Sequence, residues 1–292
     1  MLTDAIRAEA YRFSKNRMAV FWSVLFVPLL LLAIGTVVQL VTKARSAEMA
    51  KALPPELTAE GGPLATSGPL DLGQSLVSQA AEFANPILLL FVLIGAAIIY
   101  AGDYRWETWR LTSARNSRLN LVLGKVVIVL AVVGAALVTS LVFGLISEII
   151  KGVIFARPFT FGFGTEQAGQ FGAFVGLMVT RVMQFTMIAL LAAALTRSLL
   201  AALFVPLAVA IGQFFLMQAL PMFGWTPGDL HAQLLIPGMA TDSLKGLIAG
   251  GADAASAPDG IAWKAALSLI LWTVVPLVAA VAWFQRQDLS KE

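Results

Sequence analysis

The 292-residue chain is 59% hydrophobic and only 13% charged, with a mean hydropathy of +0.83, a balance that excludes water as its main solvent. Its net charge of +3 comes from short basic clusters beside apolar runs, with no basic stripe interleaved with aromatics, so nucleic acid is not an expected partner. There is no cysteine and a single histidine, His231, in the segment PGDLHAQLLIPG without companion ligands, so disulfides, thiolate chemistry and a zinc site are not expected.

The start, MLTDAIRAEAYRFSKNR, is charged throughout and lacks the apolar core and small-residue cleavage site of a signal peptide, so it is expected to be retained. Leu2, Ile6, Ala10 and Phe13 recur at helical spacing while Asp4, Arg7, Arg12 and Lys15 point elsewhere. Residues 1–17 therefore predict an amphipathic helix lying along a leaflet with its cations at the headgroups.

Six apolar runs follow, each long enough to cross a hydrocarbon layer of roughly 30 Å: Met18–Val41, Phe83–Gly102, Val126–Ser147, Phe171–Thr196, Leu199–Leu220 and Ala265–Phe284. Stretches such as FVPLLLLAIG and ILLLFVLIGAAIIY are apolar on every side, which excludes the alternation of a membrane barrel and predicts helices. The fold class is an all-α membrane protein: an amphipathic N-terminal helix plus six transmembrane helices. Pro28, Pro206 and Pro276 fall inside spans, where a kink is tolerated. Gly134, Ala135, Ala136 and Gly144 in the third run permit close helix packing.

Lysine and arginine placement sets the expected orientation. With the N-terminus inside, twelve of the twenty basic residues face the cytoplasm, among them Arg7, Arg12, Lys15, Arg105, Arg110, Arg115, Arg118, Lys125 and Arg197. Both termini are then cytoplasmic, and residues 42–82 and 221–264 form long external loops. Their Gly, Pro, Ala and Ser content predicts irregular structure or short surface helices and no second folded domain, so residues 1–292 read as one membrane domain. Glu148 and Lys151 read as an external extension of the third helix.

The segment AGDYRWETWRLTSARNSRLNLVLGK, Ala101 to Lys125, is unusual for a simple hairpin. Trp106 and Trp109 suit a membrane interface, the arginines suit headgroups, and Asp103 is placed to cap a short helix over Tyr104 to Ala114. A rigid helix of this kind between two spans can pass movement to or from a cytoplasmic partner.

This segment resembles the signature of type-2 ATP-binding-cassette permeases, with Asp103, Thr108, Leu111, Ser117-Arg118 and Gly124-Lys125 in the places of the family's carboxylate, threonine, leucine, Ser-Arg and Gly-Lys elements. It departs at Glu107 and Asn116, where Gly and Pro are common. The resemblance implies a permease subunit of an export-type transporter in a bacterial inner membrane, forming its translocation path with a second copy or a homologous permease. It implies a separate ABC ATPase subunit that binds ATP and Mg, with residues 103–118 as the coupling helix and Asp103, Arg105, Glu107, Thr108, Arg110, Arg115 and Arg118 as its contacts. The sequence itself contains no G-x-x-x-x-G-K-[ST] loop, so no nucleotide cofactor is expected on this chain.

Arg181 is the one strongly ionisable residue inside a span, and a charge at that depth costs a few kcal/mol unless it faces protein or water. Counting about 1.5 Å per residue along two adjoining helices places Gln213 at similar depth, with Gln184 one turn away. Arg181, Gln184 and Gln213 are thus expected to form a polar patch on a translocation path or subunit interface, or a structural arginine satisfied by amides. Two other classes compete. A proton- or ion-coupled secondary transporter would want further intramembrane ionisable residues, and an integral-membrane enzyme would want a His, Asp or Glu cluster at one face.

Overall fold

A computed structural model describes residues 2–45, 68–105 and 116–287. In chain order its elements are α1 (Leu2–Lys15), α2 (Arg17–Ala44), β1 (Leu70–Asp71), α3 (Leu72–Ala81), α4 (Pro86–Arg105), α5 (Arg118–Phe155), β2 (Phe159–Thr160), α6 (Thr165–Thr196), α7 (Leu199–Ala219), α8 (Leu230–Leu235), α9 (Pro237–Ala249) and α10 (Ile261–Arg286). A 3-10 turn, Leu220–Phe223, extends α7, and one turn of helix, Gly251–Ala255, follows α9. The six helices long and apolar enough to cross a membrane are α2, α4, α5, α6, α7 and α10, one for each expected run.

α4 and α6 occupy the centre, with 61% and 67% of their most apolar windows buried, against 11% for α2 and 17% for α7. The two inner helices are the less apolar of the four, but hydropathy does not say how closely their neighbours can approach. Side-chain size does: Ala96, Ala97 and Ala101 of α4 and Ala189, Ala192, Ala193 and Ala194 of α6 let neighbouring helices approach closely. The outward faces of α2 and α7 carry bulky Ile34, Val37, Phe204, Ile211, Phe214 and Phe215, as lipid-facing surfaces do.

α5, at 38 residues, is about 57 Å long, nearly twice the hydrocarbon thickness. Lys125, Glu148 and Lys151 mark where the apolar run ends but not where the helix ends. One extension receives α1. The other carries the helix on through Glu148 and Lys151, 4.0 Å apart, to Phe155.

α2 contains a π-helical turn, Phe21–Leu25, immediately before Pro28. Proline has no N–H to return to the carbonyl four residues earlier, that of Val24. The Thr139 hydroxyl of α5 donates to this carbonyl at 2.9 Å, so the kink is satisfied from the neighbouring helix.

The ends of the helices fall into two layers. At the end carrying α1, the Arg118 guanidinium donates to the carbonyls of Phe284, Gln285 and Gln287 (3.2, 2.9 and 2.7 Å) at the close of α10. The Gln287 amide donates to the Ala194 carbonyl and accepts from the Tyr104 hydroxyl, joining α6 and α4 to the same knot. At the opposite, distal end, Asp71 caps α3 by accepting from the Gly73 and Gln74 amides and also from the Gly162 amide beyond β2. The expected loops thus hold short helices, but these are not merely superficial. Val77 and Ala80 of α3, and Ala232, Ile236, Met239 and Ala240 in and around α8 and α9, are buried. Gln79 of α3 lies across Gly144, where any side chain on α5 would collide with it. Gly134, by contrast, faces nothing within 4 Å among the described residues. His231, expected in a loop segment, lies in the first turn of α8 and rests edge-on against Trp225, ring centroids 4.5 Å apart.

Candidate functional sites: an ionic clamp and a buried arginine

The first site lies where α4 leaves the bundle. Asp103 is in the last turn of α4, so the expectation that it caps a following helix is not met. It is 5% exposed and bonds two cations: Arg12 of α1 at 2.7 Å and Lys125 of α5 at 2.8 Å. Lys125 is 2% exposed, lies 3.3 Å from Glu9 of α1, and donates to the Ile99 carbonyl at 2.5 Å. Glu9 completes the circuit to Arg12 at 3.3 Å. Two carboxylates and two cations from three helices meet here, and removing one would take a counter-charge from its buried partners. A cavity of about 260 Å³, lined in part by Phe13, Asn16 and Gly102, opens beside the cluster.

This clamp corrects the expected face of α1. Leu2 and Ala10 are exposed, while Ala5 and Glu9 are buried and Ile6 and Phe13 half-buried. The helix is rotated because it docks on α5 as well as presenting a face outward: Ala5 abuts Gly124, where an added Cβ would stand 3.0 Å from the Ala5 Cβ. Gly124 admits α1, and Lys125 holds it. Arg12 turns inward to Asp103 instead of pointing wholly outward.

Of the other residues assigned to a coupling helix, Glu107, Thr108, Arg110 and Arg115 lie outside the described residues, as do Trp106 and Trp109, and for Arg105 the structure describes the backbone alone. Arg118, half-buried, bonds within the chain. It closes α10, and Ser117 caps α5 by accepting from the Asn120 amide. Sequence reasoning overlooked Glu9, whose signal was its position at i, i+4 from Ala5 and Phe13, a carboxylate inside an apolar stripe that needs a cation.

The second site is toward the distal end, and here the three residues expected to meet do so. Arg181 of α6 donates to Gln184 Oε1 at 3.1 Å and to Gln213 Oε1 of α7 at 3.3 Å, and its guanidinium lies over the Phe185 ring at 4.5 Å. Gln184 donates onward to the Leu269 carbonyl of α10 at 3.2 Å. Three helices are thus joined through one cation. Gly238 of α9 adjoins the guanidinium, and a Cβ there would stand 3.3 Å from Nη2. A cavity of about 350 Å³ begins at Arg181 and Gln213 and rises past Asp242 to the Lys245–Glu82 ion pair (2.8 Å). Burial holds the Asp242 carboxyl above its ordinary range, against the lowering pull of Lys245 and Arg181. Among the described residues no cluster of His, Cys, Asp and Glu could hold a metal.

Comparison with known proteins gives one match. The family model described as ABC-2 family transporter protein covers residues 92–289, more than half of the chain, from within α4 through the end of α10. No curated protein and no solved structure matches. Six apolar helices long enough to span a bilayer, built around the matched segment, agree with that family's role as a membrane transport component. The chain belongs to the ABC-2 family of transporter proteins, and is a multi-pass membrane subunit of an ATP-binding-cassette transporter.

Proposed function

We propose that this chain is the permease of an ATP-driven exporter in a bacterial inner membrane. It works as a dimer, with a second copy or a homologous permease, and each half docks on a separate ATPase subunit that binds ATP and Mg. The end carrying α1 faces the cytoplasm. The observation that carries this reading is the clamp at Asp103. The segment assigned to the ATPase contact begins where α4 is tied by ion pairs to α1 and α5, so a push on that segment is delivered to three helices together.

In this reading Arg105, Glu107, Thr108, Arg110 and Arg115 meet the ATPase, Asp103 transmits the movement, and Arg118 fixes the segment's far end against α10. Arg181, Gln184 and Gln213 lie on the translocation path. Affinity purification of the tagged chain from its native membrane tests the assembly. A nucleotide-binding subunit should accompany it, with two permease chains per complex. Recovery of the chain alone and monomeric, under conditions that preserve other membrane complexes, would favour the secondary-transporter alternative.

A further inference from the structure

We infer that the cavity beneath α9 is a binding site for an amphiphile with a single anionic head group, seated on Arg181 and Gln213. The inference deepens the reading of these residues as part of the translocation path and rests on it.

Arg181 carries five N–H donors, and its partners in the structure are two neutral amide oxygens and an aromatic face. Among the described residues no carboxylate comes within 4.0 Å of the guanidinium. Gln213 is 7% exposed, and with its oxygen spent on Arg181 its Nε2 is buried without an acceptor. A buried donor left unmatched is costly, and so is a cation at this depth. Both groups line the same cavity, so the missing species is an acceptor, and beside a guanidinium a carboxylate or phosphate fits best. Gly238 keeps the approach to Nη2 clear.

The remaining wall specifies the rest of the ligand. Met178, Ala210, Phe214, Met217 and Ile236 are apolar, and Phe214 is largely exposed on the outer face of α7, so a chain attached to the head group has an apolar route outward. Asp242 is the carboxyl nearest in character to a competitor, but it stays beyond ion-pair distance. Burial holds its carboxyl above the ordinary range, against the lowering pull of Lys245 and Arg181. The Lys245–Glu82 pair spans the distal mouth.

The test uses the full chain in nanodiscs of zwitterionic phosphatidylcholine, titrated calorimetrically with dodecyl phosphate, dodecanoate, dodecyl maltoside and dodecyltrimethylammonium, each corrected for empty discs. Wild type should bind one or both anionic probes saturably and more tightly than the neutral and cationic ones. Preference for the phosphate would identify a lipid-like head group, and preference for dodecanoate a free carboxylate. Arg181→Gln should weaken the anionic probe by about tenfold or more, and Arg181→Lys by less, as expected for a charge-assisted contact. Gln213→Leu, which removes the unmatched Nε2 together with the Oε1 that accepts from Arg181, should weaken it too, and thermal unfolding of the same discs checks that this variant is folded. Anionic probes that bind no better than dodecyl maltoside, or that bind Gln213→Leu and Arg181→Gln as tightly as wild type, would overturn the inference. Either result would leave the permease reading standing, because that reading fails on a different observation, the absence of an ATPase partner.

Discussion

Replacing Lys125 with Met should detach α1 from the bundle. The ammonium is 2% exposed and holds Asp103 at 2.8 Å and Glu9 at 3.3 Å, so its loss takes one cation from two buried carboxylates that also bond Arg12. Breaking a buried pair from one side costs about 3–5 kcal/mol. Arg12 remains, its side chain is 40% exposed, and the neighbouring cavity admits water, so a figure of about 2 kcal/mol is reasonable for the docking of α1 alone. That corresponds to roughly a thirtyfold rise in the fraction of undocked helix. The chain has no cysteine, so Ile6→Cys, half-buried against the core, can report on it directly through its rate of reaction with a soluble maleimide. The rate should rise by about that factor in Lys125→Met and much less in Lys125→Arg, which keeps the charge. An unchanged rate in Lys125→Met would refute the idea that the ion pairs hold α1.

Thr139→Val should lower thermal stability in detergent by about 1 kcal/mol, because the Val24 carbonyl loses its donor, and the loss should shrink in a Pro28→Ala background that restores a backbone N–H. Equal losses in both backgrounds would separate Thr139 from the proline. The Asp71 carboxylate is held below its ordinary range chiefly by the Gly162 amide, with the Gln74 and Gly73 amides adding to it against burial. Its contribution is therefore complete above the unfolded value of about 4 and is lost as pH falls through the lower folded value. Limited proteolysis near α3 should accelerate on acidification below that value in wild type, whereas Asp71→Ala should be cleaved readily at neutral pH and show no such step. For topology, Ser256→Cys should react with an impermeant thiol reagent in intact spheroplasts while Ser14→Cys should not, and the opposite pattern would invert the orientation.

The spans were legible because burial in lipid imposes composition on every residue of a helix, and all six runs became helices. The meeting of Arg181, Gln184 and Gln213 was legible as well, since depth along two adjoining helices is simple arithmetic and an isolated intramembrane charge must find partners. The clamp was not. Glu9, Asp103 and Lys125 come from three separate helices, and a buried ion pair leaves no periodic trace, so Asp103 read as a cap and Lys125 as a topological charge. The depth of the distal layer was obscured for a related reason. Residues 42–82 read only as irregular structure or short surface helices, because the burial of α3 comes from partners distant in sequence, Gly144 of α5 and Phe174 of α6. Residues 106–115, on which most of the coupling assignment falls, lie outside the described residues.

The central claim is that movement passes between the ATPase and the bundle through Asp103. The most direct measurement is ATP hydrolysis and substrate export together, in vesicles reconstituted with the ATPase subunit and either wild-type chain or Asp103→Asn. The isosteric amide keeps the shape of the contact and removes the charge that binds Arg12 and Lys125. The account predicts that the ATPase still co-purifies and still hydrolyses ATP, while export per ATP falls severalfold as the clamp loosens. Full export per ATP in Asp103→Asn would contradict it.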